Sequence, residues 1–132
     1  MPVQTVHIVS FGYLHRVKKW ELPEADITLD LRRHFRDPHV SPKLRHMTAD
    51  DAPVRSAVLG TPGIATLIAH TVGAVDAYAS GPSAGAVTVA CGCAGGRHRA
   101  PTVAAALADL LKAAGHQVFV WHLDLDRPVI QR

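Results

Sequence analysis

AGAVTVACGCAGGRHRAPTVAAALADLLKAAGHQVFVWHLDL, residues 84–125, decides the fold. Its opening, AGAVTVAC, is apolar and β-branched and reads as a strand. PTVAAALADLLKAAG reads as a helix: Pro101 suits the first helical position and Gly115 the C-cap. Val103, Leu107, Leu110, Leu111 and Ala114 fall on one stripe at helical spacing. HQVFVWHLDL reads as a second strand. Strand, helix, strand is a βαβ unit with parallel strands, so the fold class is α/β.

Upstream, VQTVHIVSFG is β-rich and gives a first strand over about residues 3–9. ADITLDLR alternates Ile27, Leu29 and Leu31 against Thr28, Asp30 and Arg32, a second strand. RHFRDPHVSPKLRHMT holds two prolines and no period, so it reads as a long loop. TADDAPVRSAVL predicts a short helix with Thr48 as N-cap and Asp50 and Asp51 in the first turn. TPGIATLIAHTVGAVDAYAS predicts another, capped by Thr61 with Pro62 at the first position. Its buried stripe is Ile64, Leu67, Ile68, Val72, Val75 and Tyr78, and Gly81-Pro82 stops it. Residues 1–132 therefore form one domain: a small mixed or parallel sheet of about four strands with about three helices.

Hydrophobic residues at 48 % and charged ones at 19 % allow a packed core and argue against disorder. The formal charge of +3 suits anionic partners without singling out nucleic acid. Only two cysteines occur, Cys91 and Cys93, so there is no disulfide framework and a reducing compartment is expected. No secretory pattern opens the chain and no apolar run reaches membrane-span length. The expectation is a soluble cytoplasmic protein with no membrane partner.

CGCAGGRHR, residues 91–99, sits between the strand and the helix of the βαβ unit and holds three glycines. An anion placed there meets unpaired N–H groups and the positive end of the helix dipole. Gly92, Gly95 and Gly96 let the backbone curl close. Arg97 and Arg99 offer forked donors matched to phosphate, and His98 adds a donor whose charge depends on pH. A tight connection with solvated arginines is the plainer alternative, but glycine and arginine at this density exceed what a turn needs. The stretch is not a Walker A, because no Gly-Lys-Ser/Thr follows. It does contain Cys-x5-Arg, Cys93 to Arg99, which looks like the signature of cysteine-dependent phosphatases. In that reading Cys93 attacks phosphorus, Arg99 holds the phosphoryl oxygens, and Asp30 or Asp124 is the general acid. Cys91 ends an apolar strand and reads as a core residue.

GCAGGRHR also resembles the Gly-Cys-Thr-Gly-Gly-(Arg/Gln)-His-Arg signature of the RapZ C-terminal domain family. SFGY at 10–13, LPEADITLDLRRHFRDPHV, LRHMTADDAPV and VWHLDLDR are similar to further blocks of that family, in the same order. The resemblance implies a stand-alone domain of the kind that senses glucosamine 6-phosphate and carries RNA-binding and oligomer contacts. In the full-length family members a nucleotide-binding domain precedes it. It implies a ligand pocket formed by Asp30, Arg32, His39, Ala94, Gly95, Gly96, His98 and Arg99, lined by Ser10 and Gly12 from the first strand, with Arg97 beside them. A small phosphorylated metabolite is then the ligand, with RNA, an RNase and a further copy of the chain as partners. The chain departs from the signature at Ala94 and Ala100, where hydroxyl residues stand in the family, and in the extra charge of RRHFRDPH.

Asp30 and Arg32 lie two apart on a strand, so they share a face; they serve a sugar or simply pair with each other. Arg33, Arg36, Lys43 and Arg45 make the long loop basic, enough for sequence-independent contact with RNA backbone. No zinc-ligand spacing and no cofactor motif is read, so neither metal nor cofactor is expected. His7, His116 and His122 fall in strand segments and read as packing residues. The leading expectation is a binding or regulatory module; the phosphatase is the alternative.

Overall fold

Strand β3, Val87–Cys93, lies inside a four-stranded parallel sheet of order β2-β3-β1-β4. A computed structural model describes residues 3–83 and 85–131. The sheet's other strands are β1 (Thr5–Gly12), β2 (Ile27–Asp30) and β4 (Gln117–His122). The helices are α1 (Ala52–Leu59), α2 (Ile64–Ala79) and α3 (Arg99–Ala113). The α/β class and the parallel βαβ unit predicted from residues 84–125 stand, and the sheet is parallel throughout.

Period-two alternation makes two different faces. Val6, Ile8, Val87, Val89 and Cys91 are buried on the face where α1, α2 and α3 pack together. The register sets His7 beside Thr88 and Phe119, and Val9 beside Ala90 and Trp121, on the other face. There Phe119 and Trp121 are exposed, and His7 stacks on Phe119 with 5.6 Å between centroids. Burial pushes the Cys91 thiol up to about 12, so it is an inert core group, as its place in an apolar strand predicts.

Several boundaries move for identifiable reasons. β1 extends to Gly12, past the expected end near residue 9, because Ser10, Phe11 and Gly12 pair with Cys91, Gly92 and Cys93. Ala84, the expected start of β3, lies outside the described residues, and the strand begins at Val87. α1 begins at Ala52 with Asp51 as N-cap; Thr48 sits one turn earlier, and its N–H donates to the Asp51 carboxylate at 2.9 Å. Thr61 does not cap α2 either. Gly63, at φ 93°, takes that place, and the Thr61 hydroxyl donates back to the Ala57 carbonyl. α3 starts at Arg99, two residues before Pro101. Its buried stripe is rotated: Ala104 and Ala108 are inside, whereas Leu110 and Ala114 are exposed. Small side chains on that stripe bring α3 close to the sheet. Tyr78 of α2 is exposed as well, its hydroxyl donating to the Asp26 carbonyl. Gly115 ends α3 at φ 96°, with its N–H bonded to Lys112 and that of His116 to Leu111.

Candidate functional site

The glycine turn leaves the carboxyl end of β3 and enters α3, where an open parallel sheet places its ligands. Two backbones meet there at contact distance. A Cβ on Gly12 would lie 2.4 Å from the Gly95 carbonyl carbon, and one on Gly96 2.6 Å from the Gly12 nitrogen. Gly96 also adopts φ 75°, a conformation glycine takes freely. The Gly12 N–H donates to Oδ2 of the fully buried Asp124 at 2.8 Å, and Arg16 holds the same carboxylate at 3.1 Å. Gly12 and Gly96 thus lock the base of the turn. Among the described residues, the N–H groups of Gly95, Gly96, Arg97, His98 and Arg99 donate to no protein acceptor. The Ala100 N–H donates to Cys93 Sγ at 3.4 Å.

The three cationic side chains of the turn do different work. Arg99 is 2 % exposed. Its Nη1 donates to the carbonyls of Leu31, Arg32 and Phe35 at 2.8, 3.1 and 3.2 Å, and its Nη2 reaches Asp37 at 3.2 Å. It is chiefly the strut that fixes the loop after β2, not a freely swinging phosphate fork. Its Nε is buried and has no acceptor among the described residues. Arg97 bridges two segments, donating to the Arg127 carbonyl at 2.7 Å and the His46 carbonyl at 3.0 Å. The His98 Nε2–H donates to the Met47 carbonyl at 2.8 Å, which leaves Nδ1 as the acceptor. Burial lowers the His98 pKa, favouring the neutral ring.

Of the other predicted residues, some converge and some do not. His39 and Arg45 border one cleft with Asp37, Cys93, Gly95 and the turn's cationic residues. Arg45 donates from Nε to the His39 carbonyl at 2.9 Å, and its terminal nitrogens carry no protein hydrogen bond among the described residues. Ala94 bonds the first connection through its carbonyl, which accepts from the Leu14 N–H. Ser10 is fully buried, with Oγ 2.6 Å from His122 Nδ1. Asp30 and Arg32 form an exposed bidentate pair at 2.9 and 2.7 Å, the plainer of the two roles open to them in sequence. Arg32 also lies 3.5 Å over the Tyr13 ring. Those hydrogen bonds from Arg32 hold the Asp30 carboxyl below its usual range. The register puts Asp30 on the face opposite Cys91, so it does not meet Cys93 as a general acid would. Asp124 is spent on Gly12 and Arg16. Arg33, Arg36 and Lys43 stay exposed on the basic loop. Among the described residues no group of three or more potential ligands is placed to hold a metal, and no single helix is long and apolar enough to cross a membrane.

The RapZ C-terminal domain family model matches residues 4–126. The chain belongs to the RapZ C-terminal domain family. Among relatives of this RapZ-type chain is a "nucleotide-binding protein" of Desulforudis audaxviator (strain MP104C), 35 % identical over 127 residues, covering 92 % of this chain and 40 % of the relative. A second, from Thermobifida fusca (strain YX), is 35 % identical over 124 residues, with 92 % and 40 % covered. A third, from Limosilactobacillus reuteri (strain DSM 20016), is 32 % identical over 126 residues, with 92 % and 41 % covered. The RapZ-type domain thus spans about 40 % of these relatives' length.

Sequence reasoning left Arg45 with the RNA loop and missed Asp37 and the segment past β4. Val129 and Ile130 of that segment border the same cleft. About 10 Å³ remains there for a water-sized body, room for about one water. Two histidines tie this RapZ-type site to pH. Burial lowers the pKa of both His98 and His122, so the folded state binds fewer protons than the unfolded one near the ordinary value of 6.5. Stability is then fully present above about pH 6.5 and is lost as pH falls through the lowered values. The urea midpoint should drop between about pH 7 and pH 5, and a His98→Gln/His122→Gln variant should show a flatter profile over that window. An equally steep profile in the variant would place the proton uptake elsewhere.

Proposed function

We propose that this chain is a cytoplasmic regulatory module that binds a phosphorylated metabolite of the amino-sugar phosphate class, such as glucosamine 6-phosphate. The observation that carries the reading is the set of unused donors at one cleft. The N–H groups of residues 95–99 have no protein acceptor among the described residues, at the N-terminus of α3. The Arg45 terminal nitrogens and the unpartnered Arg99 Nε belong to residues bordering the same cleft. Alanine at 94 and 100 removes hydroxyl donors but no main-chain ones. The family resemblance supplies the sugar; the residues supply the anion. Titration calorimetry with inorganic phosphate and glucosamine 6-phosphate tests it. Both should bind, the sugar phosphate more tightly. Arg45→Ala should weaken both about ten- to hundredfold, the loss of one charge-assisted contact. Silence from both ligands at millimolar concentration would end the reading.

An RNA contact is a second reading, supported by the exposed Arg33, Arg36 and Lys43 on the basic loop. Charge-driven binding to RNA backbone must weaken steeply with salt, so a gel-shift series across salt should lose the complex, and an Arg33→Ala/Arg36→Ala/Lys43→Ala variant should bind more weakly throughout with a shallower salt dependence. An RNase partner and a homo-oligomer belong to the proposal on the resemblance alone.

A further inference from the structure

The segment after β4 changes character at Arg127. Up to that residue it is anchored: the Arg127 N–H donates to the Asp124 carbonyl at 3.2 Å, and its carbonyl accepts from Arg97 at 2.7 Å. Beyond it, residues 129–131 make no hydrogen bond among the described residues. Val129 and Ile130 are nevertheless half-buried, because they rest against the cleft over the glycine turn. The space left there holds about one water, too little for a phosphate. Next to it a larger cleft, also bordered by Val129, opens on Arg45, His39 and His46. The segment also lies past residue 126, where the family match ends.

We infer that residues 128–131 form a hydrophobic strap that competes with the anion for the turn. The inference rests on the anion-binding reading above and names its regulation. With the strap seated, Val129 and Ile130 fill the volume an anion would take. With an anion bound, the strap swings out about Arg127-Pro128, and Val129 and Ile130 go to solvent. Apolar seating without hydrogen bonds suits such a switch, since it can be given up without stranding a buried polar group. Apparent affinity is the intrinsic affinity scaled by the open fraction. A strap closed about nine-tenths of the time therefore weakens binding about tenfold.

The test uses the full chain and inorganic phosphate as the probe. Val129→Ser/Ile130→Ser removes the apolar contacts and adds no charge, at positions whose loss leaves the core intact. Calorimetry should show phosphate binding about tenfold tighter than wild type. A thiol placed on the strap by Val129→Cys should be alkylated faster when phosphate is added, Cys91 and Cys93 being buried, while hydrogen exchange shows the turn becoming more protected. Equal affinity in variant and wild type, with an alkylation rate at position 129 that phosphate leaves unchanged, overturns the strap and leaves the anion site standing. Failure of both proteins to bind phosphate removes the site and the strap together.

Discussion

Gly96→Ala is expected to destabilise the domain by roughly 3–5 kcal/mol, combining the left-handed penalty for an L-residue with overpacking. The Cβ would sit 2.6 Å from the Gly12 nitrogen, 2.9 Å from the Asp124 Cβ and 2.9 Å from the Phe11 carbonyl carbon. Two of those three neighbours are backbone of β1, a central strand of the sheet, which cannot yield without breaking its pairing with β3 or β4. The third belongs to the buried carboxylate that holds Gly12. Domains of this size are stable by about 5–15 kcal/mol, so the variant should unfold at markedly lower urea or not accumulate at all. Gly115→Ala is the matched comparison: it also has positive φ, at 96°, but a Cβ there meets nothing within 4 Å. It should cost only about 1–2 kcal/mol. Equal midpoints for the two variants would mean that the turn does not pack on β1 as described.

Arg99→Met should be nearly as damaging, and for an electrostatic reason. The substitution strands the carbonyls of Leu31, Arg32 and Phe35 and leaves Asp37 without its cation, all around a buried guanidinium. Removing one partner of a buried ion pair costs about 3–5 kcal/mol. Arg99→Lys should recover little, because a single ammonium cannot span three carbonyls and a carboxylate in the fork geometry. Hydrogen exchange should show residues 31–47 losing protection before the sheet does. Phosphate affinity should fall in the same variant because the loop carrying His39 and Arg45 comes loose. Intact loop protection together with lost phosphate binding would show instead that Arg99 acts on the anion alone. Arg45→Ala is therefore the cleaner probe of binding, since the Arg45 side chain makes one hydrogen bond among the described residues.

The chain's order of strands and helices was legible in its sequence because it rests on local rules. Apolar periodicity switches from two to helical spacing across residues 84–125, and Gly115 closes α3 as a left-handed cap. The glycine turn was legible as a strand-to-helix connection with exposed main-chain N–H groups, because glycine lets the backbone curl there ahead of a helix N-terminus. Helix starts were less so. Thr48 and Thr61 are good N-caps by type, yet Asp51 and Gly63 cap the helices, while the Thr48 N–H donates to the Asp51 carboxylate and the Thr61 hydroxyl donates back to Ala57.

What each arginine of the turn does was decided only in three dimensions. Arg97 and Arg99 are two apart and chemically identical, and nothing local says that one spans to Arg127 and His46 while the other is buried under residues 31–37. Ser10 is read as a ligand residue, but the parallel pairing of β1 with β4 sets its hydroxyl against His122, 112 residues away in the chain. The amino-acid sequence by itself determined an α/β domain with a glycine-rich strand-to-helix turn, because strand, helix and turn signals depend on neighbours in the chain. The tertiary structure alone decided which donors stay unspent and that Val129 and Ile130 lie over them, because those facts depend on acceptors up to 68 residues away in the chain.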